Sequence, residues 1–153
     1  MKKLFVLCIV LVMSIFFQSA AYAEVTPEDV AEALKASCVD AFDYFEIRYN
    51  ADDSSFYVDV AIDGLAKGMY AAKEYGVDST DEEWNQIKGM FMMLYYATVS
   101  MFETCEIETP DYVGLSLWND DVVIRNDHST GKSSILLAIS NGYFYIDEME
   151  VAY

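Results

Sequence analysis

The chain predicts an α+β domain, an antiparallel sheet of about five strands with three helices packed on one face, in the order α-β-β-α-α followed by three or four strands. Three observations carry this reading. Apolar residues recur at helical spacing in three segments, alternate with period two in several others, and an Asn-Gly pair separates the last two apolar runs. Segments of both kinds have an apolar face, and laying helices on a sheet buries both at once.

Residues 1–23 read as a bacterial-type secretory signal peptide: Lys2 and Lys3 start it, Leu4 to Phe17 carry no charge, and Ala21-Tyr22-Ala23 supplies the small residues for cleavage. The uncharged run is shorter than the roughly 20 residues a membrane-spanning helix needs. Cys8 lies inside that run rather than at the cleavage point, so it does not mark a lipid-modified N-terminus. Export predicts a secreted or envelope location, with residues 24–153 as a single globular domain and no transmembrane segment after cleavage.

The first helix starts at Thr26-Pro27, with Glu28 and Asp29 suited to the positive end of its dipole, and Val30, Leu34, Cys38 and Ala41 form its apolar stripe. Phe45, Ile47 and Tyr49 then alternate with Glu46 and Arg48. Ala51-Asp52-Asp53-Ser54 turns the chain, and Phe56, Val58, Val60 and Ile62 resume the alternation, which predicts an antiparallel hairpin over 44–62. A second helix is expected over 63–75, weakened by Gly64 and Gly68 and stopped by Gly76. Ser79 and Thr80 before Asp81-Glu82-Glu83 announce a third, running from Trp84 to Cys105 and apolar nearly all round beyond Gly89. Val113, Leu115 and Leu117 form the next strand, Asn119-Asp120-Asp121 a turn, and Val122-Val123-Ile124 a short strand-like run. After a polar loop, residues 135–139 and 143–146 close a hairpin through Asn141-Gly142.

The chain has 26 Asp and Glu against nine Lys and Arg, a net charge of −17. Without Lys2 and Lys3 seven basic residues remain, and the charge becomes −19. Phosphate backbones are held by clustered Lys and Arg, so nucleic acid is excluded as a partner. Cys38 and Cys105 survive cleavage of the leader and, in an exported protein, are candidates for a disulfide; buried thiols are the alternative. Neither has a Cys or His at metal-ligand spacing, and no cofactor or metal is called for.

Three patterns invite catalytic readings. Residues 126–133 end in Gly131-Lys132-Ser133 like a phosphate-binding loop, but Asn126 replaces the first glycine and a strand, not a helix, should follow. His128, the one histidine, sits between Asp127 and Ser129, yet adjacent residues rarely form a relay. The acidic pairs at 52–53, 81–83, 120–121 and 147–148 suit carboxylate catalysis or calcium in kind but not in spacing, and turn or cap chemistry accounts for the first three. No catalytic residue is assigned. The candidate interaction surface is Met90, Met93 and Tyr96 on the third helix, with Trp118, Tyr143 and Tyr145 on an aromatic sheet face.

Two stretches, Val58-Asp59-Val60-Ala61-Ile62-Asp63-Gly64-Leu65-Ala66 and Ile135 through Asp147, resemble a loose group of small exported bacterial proteins, many of them lipoproteins. The resemblance implies an envelope or secreted domain and brings no activity with it. Anchoring does not carry over, because no cysteine follows Ala23. The functional expectation is a non-catalytic binding protein, monomeric or weakly dimeric, for a protein, peptide or glycan. A small secreted hydrolase and an acidic inhibitor or immunity-type protein are the alternatives.

Overall fold

A computed structural model describes residues 25–129 and 131–150; the leader, its cleavage after Ala23 and the Glu24 start lie outside the described residues. Among those described, α1 spans Pro27–Cys38 and runs into a 3-10 turn at Val39–Ala41. Strands β1 (Tyr44–Asn50) and β2 (Ser55–Ala61) follow, then α2 (Leu65–Glu74), α3 (Glu82–Thr104) and β3 (Tyr112–Trp118). A one-turn helix, α4 (Asp120–Val123), precedes β4 (Ile135–Ser140) and β5 (Tyr143–Asp147). The five strands form one sheet in chain order, β1-β2-β3-β4-β5.

Alternation along the strands divides the sheet into two faces. Phe45, Ile47 and Tyr49, then Phe56, Val58 and Val60, then Val113, Leu115 and Leu117, then Leu137 and Ile139 stand on one face. They join a single core cluster with Val30 and Leu34 of α1, Met69 of α2, and Trp84, Phe91, Leu94 and Phe102 of α3. Phe56 and Phe102 meet edge to face at 5.1 Å, an arrangement that suits the ring quadrupoles. On β1 to β3 the residues of opposite parity (Arg48, Tyr57, Asp59, Gly114 and Ser116 among them) are outside that cluster.

The termini of the elements follow local chemistry. Thr26 and Asp29 cap α1 reciprocally: the Asp29 amide donates to Thr26 Oγ1 at 3.3 Å and the Thr26 amide to Asp29 Oδ2 at 2.8 Å. Gly76 stops α2 at φ +83°. The cap of α3 is Asp81, which accepts from Glu83 N and Trp84 N, whereas Thr80 is taken up by Asp78. Asn141 and Gly142 both have positive φ, 51° and 77°, as their two-residue hairpin requires.

Three expectations need correction. The sheet is mixed, because β2 and β3 pair in parallel, from Ser55↔Tyr112 to Val60↔Leu117. The 50 residues between them (62–111) carry two helices back over the core, the long crossover that parallel neighbours require. Val122-Val123-Ile124 is not strand-like, because the Asn119 side chain accepts from Asp121 N and nucleates α4 there. Finally, Cys38 and Cys105 are thiols, not a disulfide. Cys38 is packed in the core as a small apolar residue, while Cys105, at the C-cap of α3, lies half-exposed outside that cluster.

Candidate functional site

The sheet face opposite the helices is roofed by its own side chains. Small residues occupy its middle: Gly114 and Ser116 on β3, Ala138 on β4. Ser116 and Ala138 are nevertheless buried, as is the Asp59 carboxylate on β2, beside Ser116 in register. Large rings from the surrounding positions account for this. A Cβ on Gly114 would fall 2.7 Å from Tyr112 Cε1, so the Tyr112 ring lies down along its own strand over the glycine. Tyr57, in register with Gly114, meets Tyr112 at 5.2 Å between ring centroids.

Trp118 reaches sideways from β3, its indole N–H donating to Asp59 Oδ1 at 3.0 Å. The other oxygen of Asp59 accepts from Arg48 Nη2 at 2.5 Å. The Arg48 guanidinium also stands 5.4 Å from the Tyr57 ring centroid, a distance at which the cation is attracted to the ring face. The buried carboxylate is therefore stabilised by two donors, and it holds an indole and a guanidinium in place in return.

From the far edge, the Tyr145 side chain comes close enough to Tyr112 and Ser116 on β3 to feel both. Desolvation and the nearness of Tyr112 push its phenol up to about 12, so at neutral pH it is a hydroxyl. Tyr44, on β1, is likewise raised to about 12 by burial and by its bond to Glu46. A bulge in the β4–β5 pairing gives Tyr145 its place. Phe144 pairs with Ile139, but Ala138 pairs with Ile146, so the alternation skips one residue. The same skip turns Asp147 to the helix side, where it accepts from Trp84 Nε1 at 2.8 Å and Lys88 Nζ at 3.2 Å.

The result is a platform of Tyr57, Tyr112, Trp118 and Tyr145 lying across the sheet, continued by Tyr143, which is in register with Ser140 and 78 % exposed. Trp118, Tyr143 and Tyr145 thus share one face. Met90, Met93 and Tyr96 do not join it: they are on α3, Met90 half-buried and the others exposed. Tyr96 comes closest, its hydroxyl 3.3 Å from where a Cβ of Gly142 would stand, at the tip of the β4–β5 hairpin. Sequence reasoning missed Arg48, Tyr57, Asp59 and Tyr112. The alternation of β1, β2 and β3 already placed Arg48, Tyr57 and Asp59 opposite the apolar residues, and strand pairing was the missing information.

The catalytic patterns are not assembled. His128 Nε2 lies 3.2 Å from Asn126 Oδ1, while Ser129 donates to Asp127, leaving no His-Ser contact in the trio. Gly131-Lys132-Ser133 leads into β4. Asp53 accepts from Ser55 in the first hairpin turn, Asp81 caps α3, and Asp120 is buried as an acceptor for the start of α2. Among the described residues, no three His, Cys, Asp or Glu side chains converge as a metal site, and no helix is long and apolar enough to cross a membrane. Comparison with protein-family models, with curated proteins and with solved structures finds no match to the chain.

Proposed function

We propose that this is an exported, non-catalytic binding protein that uses the helix-free face of its sheet to hold a neutral glycan. The observation that carries the reading is the posture of the rings: Tyr112 flat over Gly114 and against Tyr57, and Trp118 drawn down to Asp59. Rings that lie along a sheet offer their π faces outward, and a pyranose stacks on such a face through its axial C–H bonds. The hydroxyls of Tyr112 and Tyr145 and the half-exposed Arg48 guanidinium border the same surface and supply polar contacts to sugar hydroxyls. The net charge of −17 disfavours a polyanionic ligand there.

Rigid, pre-positioned rings bind at low entropic cost, because their side-chain freedom has already been spent in folding. The test is a titration with neutral oligosaccharides of differing linkage, followed by chemical-shift changes of the indole N–H of Trp118. Binding is expected to survive Tyr96→Ala, on the helix side, and to weaken by about tenfold in Tyr143→Ala and more in Tyr145→Ala. Failure of every neutral glycan to shift the Trp118 signal, or equal binding by all three variants, overturns the reading.

A further inference from the structure

The outer side of α3 is unlike a solvated helix surface. Trp84, Phe91 and Phe102 turn into the core. On the opposite side Glu82, Gln86, Gly89, Met93, Tyr96 and Ser100 succeed one another at steps of four and three residues, ending at Glu103. Met93 and Tyr96 are 47 % and 56 % exposed, Gly89 is exposed and Ser100 half-exposed. From Gly89 to Phe102 the helix passes fourteen residues without a charge, although 23 % of the chain is Asp, Glu, Lys or Arg. Single exposed apolar residues are ordinary on a protein surface, whereas a run of about 20 Å with no charge is not.

Gly89 has no use inside the chain. Nothing lies within 4 Å of where its Cβ would stand, and its φ is not among the positive ones. A glycine inside a helix weakens it relative to alanine, so the residue costs stability and leaves a notch one turn before Met93. Tyr96 is steadied from two sides. Its ring meets that of Tyr95 edge-on at 5.4 Å between centroids, and its hydroxyl reaches the hairpin tip at Gly142. A ring held in this way has little freedom left to lose on binding.

Carboxylates bracket the uncharged run. Glu82 and Glu83 precede it, Glu103, Glu106 and Glu108 follow it, and all five are exposed. The one cation over residues 81–108, Lys88, is paired with Asp147. Both ends therefore carry the same sign. Two copies packed through α3 would set carboxylate against carboxylate in either direction, and like charges brought together oppose association.

We propose that the outer side of α3 docks a helical segment of a partner protein, apolar along one side for about three turns and basic at both ends. Steps of four and three are the spacing at which two helices pack side by side along a seam. The notch at Gly89 admits a partner side chain, the Met93 thioether adapts to it, and Glu82 and Glu103 meet the basic ends. This surface is on the helix side of the sheet, so the proposal does not rest on the glycan reading.

The probe is a synthetic capped peptide of Ala, Leu, Gln and Lys, with Leu along one side of its middle turns and Lys in each end turn. It is titrated into the full chain, and the Met93 methyl signal is followed by NMR. A saturable shift is expected, with affinity about tenfold weaker in Met93→Gln and in Gly89→Gln. Glutamine is the better helix former, so Gly89→Gln should unfold at the same temperature or higher, which separates lost binding from lost structure. Glu82→Gln combined with Glu103→Gln should weaken binding about threefold and flatten its salt dependence. No saturable shift of Met93, or affinity indifferent to both Met93→Gln and Gly89→Gln, overturns the proposal. Equal binding of a peptide with the same Lys but Gln in place of Leu overturns it too, by showing attraction through charge alone. So does a shift of the Met93 signal without peptide, whether on raising the protein concentration or on adding phosphatidylcholine vesicles, since the face would then belong to a second copy or to lipid.

Discussion

Asp120 is the side chain whose removal should cost the fold most for its size. It is 1 % exposed, and its two oxygens accept from Gly64 N and Ala66 N, both at 2.9 Å, and from Arg125 Nη1 at 2.6 Å. Gly64 has φ +79° and no side chain of its own to cap α2, so a carboxylate 56 residues away satisfies the amides at the start of that helix. In Asp120→Ala both amides lose their acceptor. A hydrogen bond to a charged group contributes about 1.5–3 kcal/mol, so the loss of two should destabilise by about 3–5 kcal/mol. Arg125 is different: its side chain is 44 % exposed, and solvent screening makes Arg125→Ala the smaller loss.

Urea unfolding followed by far-ultraviolet circular dichroism separates the two. With a slope near 2 kcal/mol per molar, Asp120→Ala should move the midpoint down by about 2 M and Arg125→Ala by clearly less. The acid dependence has a definite sign as well. Burial raises the Asp120 carboxyl, but the amides of Ala66 and Gly64 and the Arg125 guanidinium outweigh it and hold the group below its ordinary value. Its contribution is therefore complete above the unfolded carboxylate range, near pH 4, and is lost as pH falls through the lower folded value. Asp120→Asn should lack that component of acid sensitivity. A loss below about 1 kcal/mol in Asp120→Ala, or equal losses in the alanine variants of Asp120 and Arg125, would refute the capping argument.

Two further outcomes are expected. Because the Tyr145 phenol is pushed up to about 12, the unfolded chain deprotonates first, and stability should fall as pH rises from about 10 to about 12. Tyr145→Phe should flatten that decline in alkaline urea titrations, and an unchanged slope would contradict the raised phenol. Under native conditions Cys105 should alkylate before Cys38, which is buried in the core, and only denaturant should equalise them. An intact mass two hydrogens short, for protein purified without reductant, would instead restore the disulfide.

Elements were legible in the sequence where chemistry is local. The Thr26-Pro27 start, the Gly76 stop, the Asn141-Gly142 turn and the alternation of β1 to β3 all express interactions within a few residues. The α3 cap was legible in kind but not in identity: Ser79, Thr80 and Asp81 are all competent, and Asp78 takes Thr80 out of contention. Asn119-Asp120-Asp121 was read as a turn because polar residues at such a spacing suit a turn and a helix start alike.

The aromatic face was half legible. Trp118, Tyr143 and Tyr145 were singled out, but Tyr57 and Tyr112 become their neighbours only through the parallel pairing of β2 with β3. Cys38 and Cys105 illustrate the opposite error, since shared helical faces and an even count of cysteines say nothing about where two thiols finish in space.

By itself, then, the sequence determined the α+β class, the position of the apolar faces and the strong net acidity, because each depends on composition or on contacts close along the chain. Tertiary structure alone decided that the sheet is mixed and that Asp120 caps a helix 56 residues upstream. Those outcomes rest on pairs distant in sequence, whose closure free energy only the collapsed core repays.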